Sequence, residues 1–356
     1  MKIEKFVFLP HRLKRRGRWQ TASYTADYVD VFYVKIQTDQ GVTGIGAGSV
    51  VSNGRGDPFM EGVDKVKAAA NDLLVGRDPL QICPVMDSLH AAVRGYKRHK
   101  AGIELALYDL LGKALNVSVA TLLGGTARDR IPVIRMLGMG SAVEMAETAS
   151  TFVKQGFKHL KVKLGTEPAL DLERFKSVRS AVGPEVTLMV DFNGAYDAPT
   201  AVNVIRRLMP MGLTMVEQPV EGTDLKGMET VTRSVESVVL ADQAVESSEE
   251  VYKVAATHSA NAVSIKLLKF GGLQKCIAAA GVCAAAGLVC HVGGMATSSL
   301  IDAAQAHFIS ATASVATPSE VGEFQALDGD LVEGLEMIEG NLLVPEGPGL
   351  GVNLTV

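Results

Sequence analysis

His159-Leu160-Lys161-Val162-Lys163-Leu164 and Val186-Thr187-Leu188-Met189-Val190-Asp191-Phe192-Asn193 are short apolar runs that each carry charged or polar side chains toward their ends. Three further runs follow the same plan and end near Glu217, Asp242 and Lys266. The five ionisable positions 163, 191, 217, 242 and 266 are therefore separated by 28, 26, 25 and 24 residues. Each interval has room for one strand, one helix and two loops. Chemical groups placed at successive strand ends and converging on one mouth are how a (β/α)8 barrel builds an active site, so the chain reads as an enzyme.

The alternation extends in both directions. Strands are expected at residues 133–139, 159–164, 186–192, 215–218, 238–242, 262–267, 288–292 and 311–323, and helices at 143–155, 169–182, 200–208, 225–235, 248–256, 273–286 and 298–308. Strands that alternate with helices of this length imply a parallel sheet with right-handed crossovers. Upstream, residues 28–37 and 42–50 flank the turn Thr38-Asp39-Gln40-Gly41 and read as a hairpin. Residues 58–125 are helical, with Ile103, Leu107, Leu110, Leu111 and Leu115 on one stripe and Gly124-Gly125 as a stop signal. The fold class is α/β: a TIM-type barrel (126–326) with an N-terminal module of strands followed by helices (1–125). A C-terminal segment (327–356), marked by Pro345-Glu346-Gly347-Pro348-Gly349, returns to that module.

Composition narrows the function. With 47% apolar residues and a net charge of −4, the chain can build a large core and is no general nucleic-acid binder. Cys83, Cys276, Cys283 and Cys290 form no C-x-x-C pair and read as free thiols. The opening apolar run ends at Pro10, too early for a secretory leader, and the run 277–292 is too short to cross a bilayer. The expectation is a cytoplasmic protein that works on small molecules without membrane or nucleic-acid partners.

Side chains two apart on a strand share a face, which puts Lys161 with Lys163 and Asp191 with Asn193. In a barrel that face is the interior, where lysines need anions opposite them. Asp191, Glu217 and Asp242 supply those anions, but three carboxylates at one mouth raise one another's pKa unless a cation joins them. An all-oxygen donor set without Cys or clustered His points to a hard divalent ion, Mg²⁺ ahead of Mn²⁺. A carboxylate substrate would complete its coordination, and a lysine would act on the α-proton.

These motifs resemble the enolase superfamily in its muconate lactonizing enzyme subgroup. The resemblance rests on Lys161-Val162-Lys163, Asp191-Phe192-Asn193, Glu217-Gln218-Pro219, Asp242-Gln243 and Ile265-Lys266-Leu267 with Gly271-Gly272, together with residues 104–125. A Lys or His base working with Mg²⁺ is the known chemistry of that superfamily. The resemblance implies Asp191, Glu217 and Asp242 as Mg²⁺ ligands, and Lys163 and Lys266 as an acid/base pair assisted by Lys161. It places Asn193 near the substrate carboxylate and implies that residues 1–125 form an α+β cap over a modified TIM-type barrel whose eighth unit departs from the pattern, in an oligomer expected to be a homo-oligomer. Trp19 and Tyr24, beside the basic run 12–18, belong on this reading to a cap loop over an anionic substrate. Thr297 and Glu323 are pocket candidates at the seventh and eighth strands.

Gln243 departs from the Glu that many members carry, and the lysine on the sixth strand argues against the mandelate racemase subgroup despite His291. Asp328-Gly329-Asp330 spells the Asp-x-Asp by which dipeptide epimerases of the subgroup hold a substrate ammonium, but it falls beyond the strand end. Lys269 reads as a solvated lysine and His291 as structural. Two opposed lysines predict racemisation or epimerisation of an amino-acid derivative. The alternatives are muconate-type cycloisomerisation, dehydration of a hydroxy or amino acid, and an inactive scaffold.

Overall fold

The computed structural model describes residues 1–22, 24–50, 58–316 and 318–356. Its N-terminal part is an antiparallel meander, Ile3–Gln20, Thr25–Thr38 and Thr43–Val50, with helices Phe59–Leu74, Ile82–Ala92 and Lys97–Leu115 packed on it. Phe6, Phe32, Ile36, Val66, Leu89 and Leu107 fill the layer between sheet and helices. The stripe on helix Lys97–Leu115 is buried at Ile103, Leu107 and Leu110, while Leu115 is exposed. The helix lies so close to the third strand that a Cβ on Gly44 or Gly46 would stand 2.1 or 2.0 Å from a helix carbonyl oxygen. The Gly44-x-Gly46 pair therefore serves helix-on-strand contact.

The second part is a parallel sheet of seven strands in chain order: Ile134–Leu137, His159–Lys163, Thr187–Asp191, Leu213–Glu217, Val238–Ala241, Ala262–Ile265 and Val289–Val292. These are the first to seventh barrel strands below. Leu160, Val162, Val190, Val216, Val239 and Val263 face the outer helices. Ile134, Met189, Leu240 and Ala262 plug the interior. The period of two along each strand separates these sets and sends Lys161, Lys163, Asp191 and Glu217 inward.

The expected eighth strand over 311–323 is the main departure. Helix Ser299–Ala311 takes its first residue, and among the described residues the segment keeps two isolated parallel bridges, Cys290 to Val315 and Val133 to Ser319. Hydrogen bonds from Ala316 N to Cys290 O and from Ile134 N to Ser319 O span the gap between the seventh and first strands. Pro318 has no N–H to give, which keeps this segment from forming a full ladder. After Gly322, at φ 87°, the short 3-10 turn Glu323–Ala326 replaces an eighth barrel helix. Leu327–Asp328 then pairs antiparallel with the first cap strand at Lys14 and Arg15. Among the described residues no helix is long and apolar enough to cross a membrane.

Candidate active site

Strand pairing delivers the charged groups to one level. Lys163 is the register partner of Asp191, and Asp191 of Glu217, with Asp242 directly after the fifth strand and Lys266 directly after the sixth. Asp191 and Glu217 are fully buried, and Lys161 is 1% exposed. Lys161 Nζ donates to Glu217 Oε2 at 2.8 Å and stands 3.8 Å from Asp191 Oδ2. Lys163 pairs with Asp191 and donates to Asn193 Oδ1 at 3.3 Å. Lys266 Nζ lies 2.8 Å from Asp242 Oδ2 and 3.7 Å from Glu217 Oε1.

Two residues at these strand ends hold strained backbone. Asn193 has φ 48° and Gln218 φ 38°, a conformation unusual for a residue with a side chain. Asn193 N donates to Asp191 Oδ1 at 2.7 Å. The Gln218 side chain accepts from Asp242 N at 2.9 Å and from Ala244 N at 3.2 Å, so it fixes the loop that carries Asp242.

Burial and charge set the protonation states. Burial and the neighbouring Asp191 push the Glu217 carboxyl up to about 8, against the pull of Lys161. Burial also disfavours charge on Asp242, but Lys266 and Lys269 outweigh it and hold that carboxyl below its usual range. For Lys161 and Lys266 burial works against the ammonium, and the carboxylates around them reverse the effect, leaving both pKa values raised.

The donors suit a hard divalent cation. Asp191, Glu217 and Asp242 offer only carboxylate oxygens, and Glu217 Oε1 is buried with no hydrogen-bond donor among the described residues. A carboxyl raised as Glu217 is needs added positive charge to ionise at neutral pH. Among the described residues no three acidic, His or Cys side chains are drawn together as a finished metal cage. The lysine ammonium groups stand at these carboxylates instead.

The remaining expected site residues are dispersed. Thr297 is fully buried, and its hydroxyl has no hydrogen-bond partner among the described residues. Trp19 and Tyr24 pack with Ala26 and Met136 where the cap meets the first barrel strand. Glu323 is not at the end of a barrel strand. It sits in the 3-10 turn, with its Oε1 3.0 Å from Arg135 Nη1. Asp328 pairs with the exposed Arg16, and Asp330 accepts from Ser299 N and Tyr33 Oη, so neither member of Asp328-Gly329-Asp330 is free for a ligand.

Sequence reasoning missed Glu320 and misjudged Lys269. Glu320 lies on the ring-closing segment, where it pairs with Lys161 and accepts from His291 Nε2 at 3.1 Å and Gly294 N at 3.0 Å. Burial raises its pKa, but Lys161 and His291 more than offset this, so it stays ionised. The signal was the repeat itself, since Glu320 falls 29 residues after His291 on the seventh strand. Lys269 is buried rather than solvated, and it donates to Asp242 O at 2.7 Å. The single turn Leu267–Phe270 that follows the sixth strand folds it back onto the mouth.

A parallel barrel with lysines and carboxylates at its strand ends, beneath an α+β cap, defines an enzyme of the enolase type. The family model for the mandelate racemase / muconate lactonizing enzyme N-terminal domain matches residues 2–124, and the enolase C-terminal domain-like model matches residues 144–355. The chain belongs to the enolase superfamily, in its muconate lactonizing enzyme subgroup, and is an isomerase. It is 29% identical to the N-succinyl-L-Arg/Lys racemase of Bacillus cereus, over 99% of this chain and 96% of that protein. It is 34% identical to a chloromuconate cycloisomerase of Pseudomonas sp. strain P51, over 90% and 89%. The dipeptide epimerase of Enterococcus faecalis V583, solved with Mg and L-Leu-L-Tyr, superposes with a TM-score of 0.94 at 28% identity, covering 99% of each chain.

Proposed function

We propose that this enzyme racemises or epimerises an N-acylated amino acid by moving its α-proton between Lys163 and Lys266, beneath a cap formed by residues 1–125. The observation that carries the reading is the placement of the two lysines. Lys163 ends the second strand and Lys266 follows the sixth, half a turn apart around an eight-membered ring, and Asp191, Glu217 and Asp242 at the ends of the third, fourth and fifth strands fill the arc between them. A substrate carboxylate at that arc leaves its α-carbon facing a lysine on each side. One lysine in its neutral form takes the proton, and the other, as an ammonium, returns a proton to the opposite face. Asp191, Glu217 and Asp242 would hold Mg²⁺, which when bound supplies positive charge opposite the substrate carboxylate. Lys161 stays charged in this scheme and orients Glu217 while countering negative charge at the arc.

The absence of a free ammonium on the substrate follows from charge. Glu320, the eighth-segment carboxylate, is already shared by Lys161, His291 and Gly294 N, and Asp242 by Lys266 and Lys269. A substrate cation would find no unpaired acid at the eighth segment and four lysines nearby.

The test is α-proton exchange in D₂O with Mg²⁺, followed by NMR on each enantiomer of a panel of N-acyl amino acids, with muconate lactonisation assayed in parallel. Lys163→Ala and Lys266→Ala should each exchange only one enantiomer, of opposite hand, and neither should racemise. Racemisation that survives in either variant sinks the two-base reading. Lactonisation without any exchange would replace it with cycloisomerisation, the activity named for the Pseudomonas relative.

A further inference from the structure

Where a complete barrel would have its eighth helix, this chain has the short turn Glu323–Ala326 and then leaves for the cap. The gap is a cavity of about 740 Å³, lined among others by Arg15, Trp19, Arg135, Phe152, Phe157 and Glu323. Most of it lies outside the barrel wall, and it meets the inward side at Met136, against which Trp19 packs. Met136 is the register partner of the inward-facing Lys161, so its neighbour Arg135 points to the outer side of the same strand, where its guanidinium lies 5.3 and 5.8 Å from the Phe152 and Phe157 rings.

The lining mixes Arg15, Arg16 and Arg135 with Glu323 and Glu339, and not every arginine is paired. Arg135 is matched by Glu323 at 3.0 Å, and the exposed Arg16 by Asp328 at 2.6 Å. Arg15 has no such match. It is 7% exposed, its guanidinium lies 4.6 Å over the Trp19 ring, and its Nε hydrogen-bonds to nothing among the described residues. Burial pulls its pKa down and Arg135 adds to this, while Glu323 opposes it through space. The Trp19 Nε1 donor is likewise buried and unpartnered. A folded protein rarely leaves two buried donors on one cavity without an acceptor. An arginine without an ion pair beside an indole N–H calls for a charged acceptor such as a carboxylate, and the aromatic walls call for an apolar body behind it.

We infer that this cavity is a second, non-catalytic site for a small monocarboxylate with an apolar body, held by Arg15 and Trp19 against Phe152 and Phe157. It is independent of the reaction assigned to the mouth. Occupation ties the first cap strand to the first barrel strand and to the turn that follows the ring-closing segment.

Trp19 is the only tryptophan in the chain, so its fluorescence reports this cavity directly. The experiment is a fluorescence titration of the full chain with phenylacetate, and with phenylacetamide as the neutral isostere. A saturable response is expected in the wild type and in Lys163→Ala alike, with phenylacetamide and Arg15→Met each binding at least about tenfold more weakly, as loss of a charge-assisted hydrogen bond requires. Equal affinity for the amide on the wild-type protein overturns the proposal without recourse to any variant. So does the lack of a saturable response, or a response abolished by Lys163→Ala, which would put the ligand in the barrel mouth.

Discussion

Glu104 should make stability fall as pH rises toward neutrality, and the size of the effect follows from its surroundings. It sits on the cap helix Lys97–Leu115 with its carboxyl buried, its Oε2 accepting from Leu273 N at 2.6 Å and its Oε1 from Gln274 N at 3.3 Å. It thus closes the N-terminus of barrel helix Leu273–Ala286. The approach is open only because residue 272 is glycine, whose Cβ, if present, would stand 1.7 Å from Glu104 Oε2. Burial pushes this carboxyl from 4.5 up to about 7, with the two backbone donors and Lys275 pulling the other way. An acid raised in the folded state binds more protons there than in the unfolded chain between those two values. Stability is therefore fully present below the unfolded pKa and lost as pH climbs through the folded one, by up to about 3 kcal/mol. Urea unfolding of wild type and Glu104→Gln at matched ionic strength, from roughly pH 4 to pH 8, isolates this group from all others. Glutamine keeps an acceptor oxygen but cannot ionise, so wild-type stability should drop relative to the variant by about that amount across the window. Parallel curves would mean that the helix N-terminus and its N–H groups outweigh burial, and the reasoning would fail.

Glu217→Gln should lose Mg²⁺ affinity, read by calorimetric titration in the absence of substrate, because the neutral amide removes one of three anionic donors; undiminished Mg²⁺ binding would dismiss the carboxylate set as the metal site. Glu320→Gln should lower turnover by roughly ten- to a hundred-fold, the range typical of groups that orient first-contact residues. Unchanged kinetics in that variant would reduce Glu320 to a purely architectural part.

The periodic placement of Lys163, Asp191, Glu217, Asp242 and Lys266 was legible because strand registry leaves a regular trace in sequence. The helices between them were legible for the same reason, although their ends shifted: the helix expected over 200–208 begins at Ala198, where Asp197 accepts from Thr200 N. The eighth unit was not legible. Among the described residues its segment makes bridges without a ladder, and without a register to place its side chains Glu323 was singled out while Glu320 went unnoticed. Lys269 was misjudged because its burial depends on a one-turn helix that periodicity over so few residues cannot reveal. Nor could spacing show that Trp19 would come to rest over Met136 and beneath Arg15, since that contact joins the cap to the barrel across more than a hundred residues of chain.

The weakness of the barrel's last seam and the strength of its charge network are one arrangement. Between the seventh and first strands the ring is held by two isolated bridges and a few backbone hydrogen bonds. At the top of that seam Glu320 reaches Lys161 on the second strand, His291 on the seventh and the backbone of Gly294. An ion cluster thus takes over where the ladder is thin. Lys161 is its pivot, since it also holds Glu217 and lies near Asp191, and removing one partner of a buried ionic network typically costs about 3–5 kcal/mol because the others are left unpaired. Its raised pKa keeps it an ammonium, and Lys163 and Lys266, the proposed proton carriers, are more exposed at the mouth. Lys161 therefore links the closure of the ring to the ionisation of the carboxylate row, and a change in the eighth segment reaches the chemistry through it.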